Sequence, residues 1–127
     1  MVAPVIPGLN DSEIPAILQA ARNAGASSAS YVLLRLPTTV SEVFLDWLAT
    51  HRPDGASKVE SFVRSTRAGK IYNARFGERQ RGEGTFAEAI AQTFKLFTRQ
   101  YGLDQPEPPL SSDHFSPPAD DGQLRLF

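Results

Sequence analysis

Cysteine is absent from the sequence. That absence excludes disulfide staples, thiolate nucleophiles, and every zinc or iron–sulfur site that relies on Cys ligands. Histidine is scarce: His51 and His114 are the only imidazoles and lie far apart in the chain, so no metal centre is expected within these residues alone. No apolar run approaches the roughly 20 residues needed to span a bilayer. The first residues also lack the basic segment and apolar core of a signal peptide. A cytoplasmic protein with no membrane partner is the expectation.

What is present suits one domain with a core and a tail: 127 residues, 41% hydrophobic and 21% charged. The net charge of -1 conceals a segregation along the chain. Between Arg64 and Arg81 the cations Arg64, Arg67, Lys70, Arg75, Arg79 and Arg81 face only Glu78. From Asp104 onward the acids Asp104, Glu107, Asp113, Asp120 and Asp121 meet a single base, Arg125. A basic surface joined to an acidic end points to an anionic partner.

The periodicities predict an α/β chain. Residues Val2 to Ile6 read as a strand, turned by Pro7-Gly8-Leu9-Asn10-Asp11. Asp11 or Ser12 is expected to cap a helix with Ile14, Ile17, Leu18 and Ala21 on one face and Gly25 as its stop. Tyr31 to Leu36 is almost continuously apolar, the mark of a strand covered on both faces in a parallel sheet. Strand, helix and strand make a βαβ unit. Thr39 and Glu42 have capping-box spacing ahead of a helix with Val40, Val43, Phe44, Trp47 and Leu48 on one face, ending near His51. A helix from about Ala56 to Ser65 buries Val59, Phe62 and Val63. Thr85 and Glu88 repeat the capping-box spacing and open a long helix with Ile90, Phe94, Phe97 and Tyr101 inward and Gly102 as its stop. Two strands and about four helices follow. Beyond Leu103 the composition is dominated by Pro, Ser and Asp, with too few apolar anchors to offset ordering entropy, so residues 104–127 are expected to be a disordered tail.

Two parallel strands alone leave unpaired backbone edges and are marginal in water, so the sheet is expected to be incomplete.

Three segments carry a resemblance: Val2 through Asp11 (VAPVIPGLND), Tyr31 through Pro37 (YVLLRLP), and Arg64 through Gly84 (RSTRAGKIYNARFGERQRGEG). Over residues 1–103 the chain resembles the C-terminal part of a bacterial radical S-adenosylmethionine (SAM) family. Its members are described as DNA repair photolyase-like or spore photoproduct lyase-like. The resemblance implies a partial (β/α) barrel and, in the complete family member, SAM and a 4Fe-4S cluster held by a Cys-x3-Cys-x2-Cys loop. This chain lacks those cysteines, so it reads as a C-terminal fragment, a natural product or the result of a misplaced start codon. By itself it is expected to hold no cofactor and to lack SAM-cleaving activity unless an N-terminal radical SAM half supplies the rest. The resemblance also puts Ile6, Pro7, Gly8 and Asn10 near the SAM pocket, at the C-terminal end of a barrel strand.

The six cations of Arg64–Arg81, interleaved with Tyr72 and Phe76, are candidates for tracking a nucleic-acid backbone while rings stack on bases. The plainer reading pairs them with acids such as Glu60, Glu78, Glu83 and Glu88, or with carbonyls at helix ends, so that they simply order a long loop. The last five residues, Gln123-Leu124-Arg125-Leu126-Phe127, resemble the short motif that docks bacterial repair proteins on the β sliding clamp, with Arg125 as the departure. Gln123 would fix register and Leu124, Leu126 and Phe127 would fill the cleft, against the alternative of a final strand folding back. These two features define a second reading, a small non-catalytic adaptor that binds nucleic acid and the clamp. Glu42 with Asp46, and Asp120 with Asp121, read as solvated carboxylates. His51 near a helix end reads as a dipole contact. Arg35, set in an apolar strand, needs either an internal carboxylate or an anionic ligand.

Overall fold

The computed structural model describes residues 1–106 and 109–116. Two strands, β1 (Val2–Val5) and β2 (Tyr31–Leu33), pair in parallel, with Val2 opposite Tyr31 and Val5 opposite Leu33. Five helices complete the described residues: α1 (Ile14–Asn23), α2 (Thr38–His51), α3 (Ala56–Ser65), the single turn α4 (Glu78–Arg81) and α5 (Thr85–Gln100). The architecture is mixed α/β with one βαβ unit, β1-α1-β2, as the strand and helix patterns predicted. The short α4 had no periodicity to announce it.

The near-continuous apolar run from Tyr31 to Leu36 is explained by two cores. Tyr31 and Leu33 join Val5, Ile14 and Leu18 of α1, Ile90 and Phe94 of α5, and Leu103. Leu36 joins Leu48 of α2 with Val59 and Val63 of α3, and Ile6, Leu9, Leu34 and Phe44 pack against that second cluster. Each such aliphatic side chain, fully buried, contributes about 1.5–3 kcal/mol relative to exposure.

The helix starts differ from the expected caps. Asp11 begins a 3-10 turn, Asp11–Glu13, and its carboxylate turns back to accept from the Gly8 amide at 2.9 Å. It therefore organises the preceding loop rather than α1, where Pro15 sits in the first turn. Thr39 lies inside α2, which starts one residue earlier behind Pro37; Thr85 is the first residue of α5 behind Gly84. No side-chain cap forms at either start. The Gly84 carbonyl accepts from the Glu88 amide at 3.0 Å, so a main-chain bond takes up that helix end.

The expected apolar face of α2 is only partly used. Leu48 is buried and Phe44 half-buried, but Val40, Val43 and Trp47 are exposed, Val43 at 71%. On α1, Ile14 and Leu18 point inward whereas Ile17 is exposed. The long α5 buries Ala87, Ile90, Phe94 and Thr98, with Phe97 and Tyr101 half-buried. It ends where the Leu103 amide bonds the Thr98 carbonyl at 2.8 Å. Leu103 is the last buried residue among those described. Ser28 and Asp104 form an isolated antiparallel bridge, and residues 109–116 are exposed.

Among the described residues no helix is long and apolar enough to cross a membrane.

Candidate functional site

The loop after β1 carries Ile6, Pro7, Gly8 and Asn10. Its polar groups satisfy one another. The Asn10 side-chain oxygen accepts from the Ile6 amide at 2.7 Å, and its amide nitrogen donates to the Pro4 carbonyl at 3.1 Å. Pro7 is buried. At Gly8 a Cβ would fall 2.5 Å from the Phe62 ring, so the missing side chain makes room for α3. These contacts make the loop rigid and leave the Asn10 side chain committed within it. A shallow cleft lies alongside, walled by Gly8, Leu9, His51, Arg52, Asp54 and Val59. The loop sits where the two strands end, the position that open parallel sheets use for ligands.

The stretch from Arg64 to Arg81 begins in the last turn of α3 and folds across β2. The structure separates its six cations into three groups. Arg64 forms an (i, i+4) pair with Glu60 at 2.7 Å, and Arg75 pairs with Glu78 at 3.1 Å. Both pairs are partly or wholly solvated, a setting in which such contacts contribute little and exchange readily. Lys70, Arg79 and Arg81 have no carboxylate within ion-pair reach among the described residues. The Arg79 guanidinium lies over the Phe76 ring at 5.2 Å, and that of Arg81 over Tyr31 at 4.6 Å. Phe76 is 86% exposed, an aromatic ring held among cations.

Arg67 departs from the sequence expectation. It is 2% exposed and therefore not presented to an external phosphate backbone. Its guanidinium donates to the main-chain carbonyls of Leu34, at 2.8 Å, and Glu78, at 2.9 Å. It thus ties the end of β2 to α4. Burial lowers its pKa, the nearby charge of Arg35 adds to that, and Glu83 and Tyr72 oppose it. The side chain performs the structural role of the plainer reading, ordering the segment through main-chain carbonyls.

Arg35 has no carboxylate partner within ion-pair reach among the described residues. Its Nε is buried without a hydrogen-bond acceptor. His51 Nδ1 donates to the Trp47 carbonyl, 3.0 Å away, and its ring stacks on Trp47, which places it at the end of α2 as expected. Among the described residues no group of three or more His, Asp or Glu is placed to hold a metal ion. With no thiolate in the chain, the donors present do not fit a 4Fe-4S cluster. Gln123, Leu124, Leu126 and Phe127 lie outside the described residues.

Searches against protein-family models, curated proteins and solved structures find no match to this chain.

Proposed function

We propose that this chain serves as the C-terminal part of a radical SAM enzyme of the photolyase-like kind, acting on nucleic acid in the cytoplasm, with the cluster-binding half on a separate polypeptide segment. The observation that carries this reading is the isolated parallel pair. Parallel sheets are found almost only with neighbours on both sides and helices on both faces. Here one face is covered, with Val5, Tyr31 and Leu33 buried, while Ala3 and Pro4 are exposed, and β1 has one hydrogen-bonding edge without a partner strand among the described residues. Val2 donates to the Ser30 carbonyl, so by alternation the Ala3 amide is turned away from β2 toward that edge. A further parallel strand laid there would extend the sheet as a (β/α) barrel requires. Val40, Val43 and Trp47 of α2 are exposed and add apolar surface on that helix that a missing half could cover.

In that arrangement the cluster and SAM reside on the other half and supply the radical chemistry. This chain contributes the wall formed by the loop from Ile6 to Asn10 and, for the nucleic acid, the cations Lys70, Arg79 and Arg81 with the exposed ring of Phe76. No step is assigned to a side chain of this chain.

Split complementation tests the reading. The chain is co-expressed with a photolyase-like radical SAM polypeptide truncated before its last barrel strands, and the pair is reconstituted anaerobically. Formation of 5′-deoxyadenosine only when both parts are present is the expected outcome. Failure of the two parts to associate, or cleavage unaffected by this chain, sinks it.

A non-catalytic adaptor is the second reading. It draws on the basic face with its exposed Phe76 ring, which needs no cluster to bind single-stranded nucleic acid, together with the clamp-type motif at Gln123 to Phe127.

A further inference from the structure

We propose that the acidic segment beginning at Asp104 is a built-in competitor for the cations Lys70, Arg79 and Arg81, lying across them until the phosphates of a nucleic acid displace it. The contact within the chain stands on its charges and its tether; the displacement rests on the nucleic-acid reading above.

Charge complementarity is the first support. From Arg64 to Glu88 the chain carries six cations against Glu78, Glu83 and Glu88. Arg64 is matched by Glu60 and Arg75 by Glu78, and Arg67 is buried on main-chain carbonyls. Lys70 and Arg81 are exposed and Arg79 half-buried, and none of the three forms an ion pair among the described residues. Glu83 and Glu88 line the cleft beside Arg81 without closing to ion-pair distance. The other end of the chain has the opposite imbalance, with Asp104, Glu107, Asp113, Asp120 and Asp121 against Arg125. Asp113 is exposed and unmatched by any cation among the described residues.

The fold supplies the second support, because it roots the acidic segment beside these cations. Asp104 bridges to Ser28, and the Ala29 amide donates to the Leu103 carbonyl at 3.0 Å. Three residues beyond Ser28 comes Tyr31, over whose ring the Arg81 guanidinium lies at 4.6 Å. Three residues span at most about 11 Å of extended chain. Asp113 follows Asp104 by nine residues, a reach of up to about 30 Å. A tether this short holds the acids near the cations at a roughly millimolar effective concentration.

The strength of such a contact suits a competitor. Exposed ion pairs contribute little one by one and are screened by salt, so the segment exchanges on and off rather than locking. The exposed course of residues 109–116 is the released arrangement. A nucleic acid brings an unbroken row of phosphates and gains from counterion release, so it wins the cations when it arrives.

The test uses the full chain in three forms. They are the wild type, a tail-neutral variant (Glu107→Gln, Asp113→Asn, Asp120→Asn, Asp121→Asn), and a control with the same change of charge at exposed acids elsewhere (Glu13→Gln, Glu42→Gln, Asp46→Asn, Asp54→Asn). At about 20 mM salt the NMR signals of residues 70–81 should differ between the wild type and the tail-neutral variant, and the difference should vanish at about 0.5 M. The control should match the wild type over that segment. Affinity for an oligothymidylate at low salt should rise about fivefold or more in the tail-neutral variant and by clearly less in the control. An unchanged segment spectrum overturns the proposal. So does equal oligothymidylate affinity when wild type and tail-neutral variant both bind, or a rise of the same size in the control, which assigns the effect to net charge. If the spectra differ as expected and no form binds the oligothymidylate, the contact stands and the nucleic-acid reading alone fails.

Discussion

The guanidinium of Arg67 and the main-chain carbonyl of Leu34 are 33 residues apart in sequence and 2.8 Å apart in space. The same side chain reaches the Glu78 carbonyl on its other arm. One buried cation thereby fixes how the segment after α3 crosses the end of β2. Replacing it by methionine keeps the volume roughly constant but leaves two inward-facing carbonyls without donors. Arg67→Met should lower the unfolding free energy by about 2–4 kcal/mol, the sum expected for two charge-assisted bonds partly offset by relief of burial. Denaturant titration followed by circular dichroism measures it. A loss below about 0.5 kcal/mol would place the carbonyls in water.

Gly82 joins α4 to α5 at a positive φ of 74°. A Cβ there would lie 2.8 Å from the Leu33 side chain and 3.0 Å from the Thr66 carbonyl oxygen. The Leu33 side chain is itself buried, so neither neighbour yields cheaply. Gly82→Ala should destabilise by about 2–3 kcal/mol, combining backbone strain with overpacking. A thermal scan that shows an unchanged midpoint contradicts the packing of this connection.

Glu78 accepts hydrogen bonds from Arg75 and Asn73, which hold its pKa below the ordinary value of 4.5 against the opposing effect of desolvation. A carboxyl depressed in the folded state contributes stability above its unfolded pKa and loses it as pH falls through the folded value. The turn from Asn73 to Arg81 should therefore loosen only in acid, below about pH 4.5. Backbone amide shifts of that segment, followed by NMR from pH 6 to pH 3 in the wild type and Glu78→Gln, check it. The variant should already show the loosened shifts at pH 6.

The last five residues offer a test that is independent of the barrel. Deleting Gln123 to Phe127 should abolish recovery of this chain on immobilised β clamp while leaving its circular dichroism unchanged. Equal recovery of the two forms removes the docking role from Leu124, Leu126 and Phe127.

Much of the architecture was legible because its signals are local. The run from Tyr31 to Leu36 announced a strand, although β2 spans only Tyr31–Leu33 and buries Tyr31 and Leu33 while Val32 is half-buried, and the spacing of Ile90 and Phe94 announced the buried side of α5. Caps were misread because the spacing of Thr39 with Glu42, and of Thr85 with Glu88, also occurs inside helices; Pro37 and Gly84 took the boundary positions instead. The inward turn of Arg67 left no trace in the sequence, since a buried arginine and a solvated one look the same in a run of six cations. The exposed face of α2 was equally hidden, because an apolar stripe records what is meant to be covered and not what covers it. Arg35 was the exception: a lone cation in an apolar strand already required a partner, and its orphaned Nε is that requirement in three dimensions.

On the proposed function, this chain shapes part of a radical SAM site and has no thiolate with which to start the chemistry itself. Anaerobic incubation of the purified chain with iron, sulfide, reductant and SAM tests it most directly. The expected result is no iron–sulfur absorbance and no 5′-deoxyadenosine. Either product, formed by this chain alone, contradicts it.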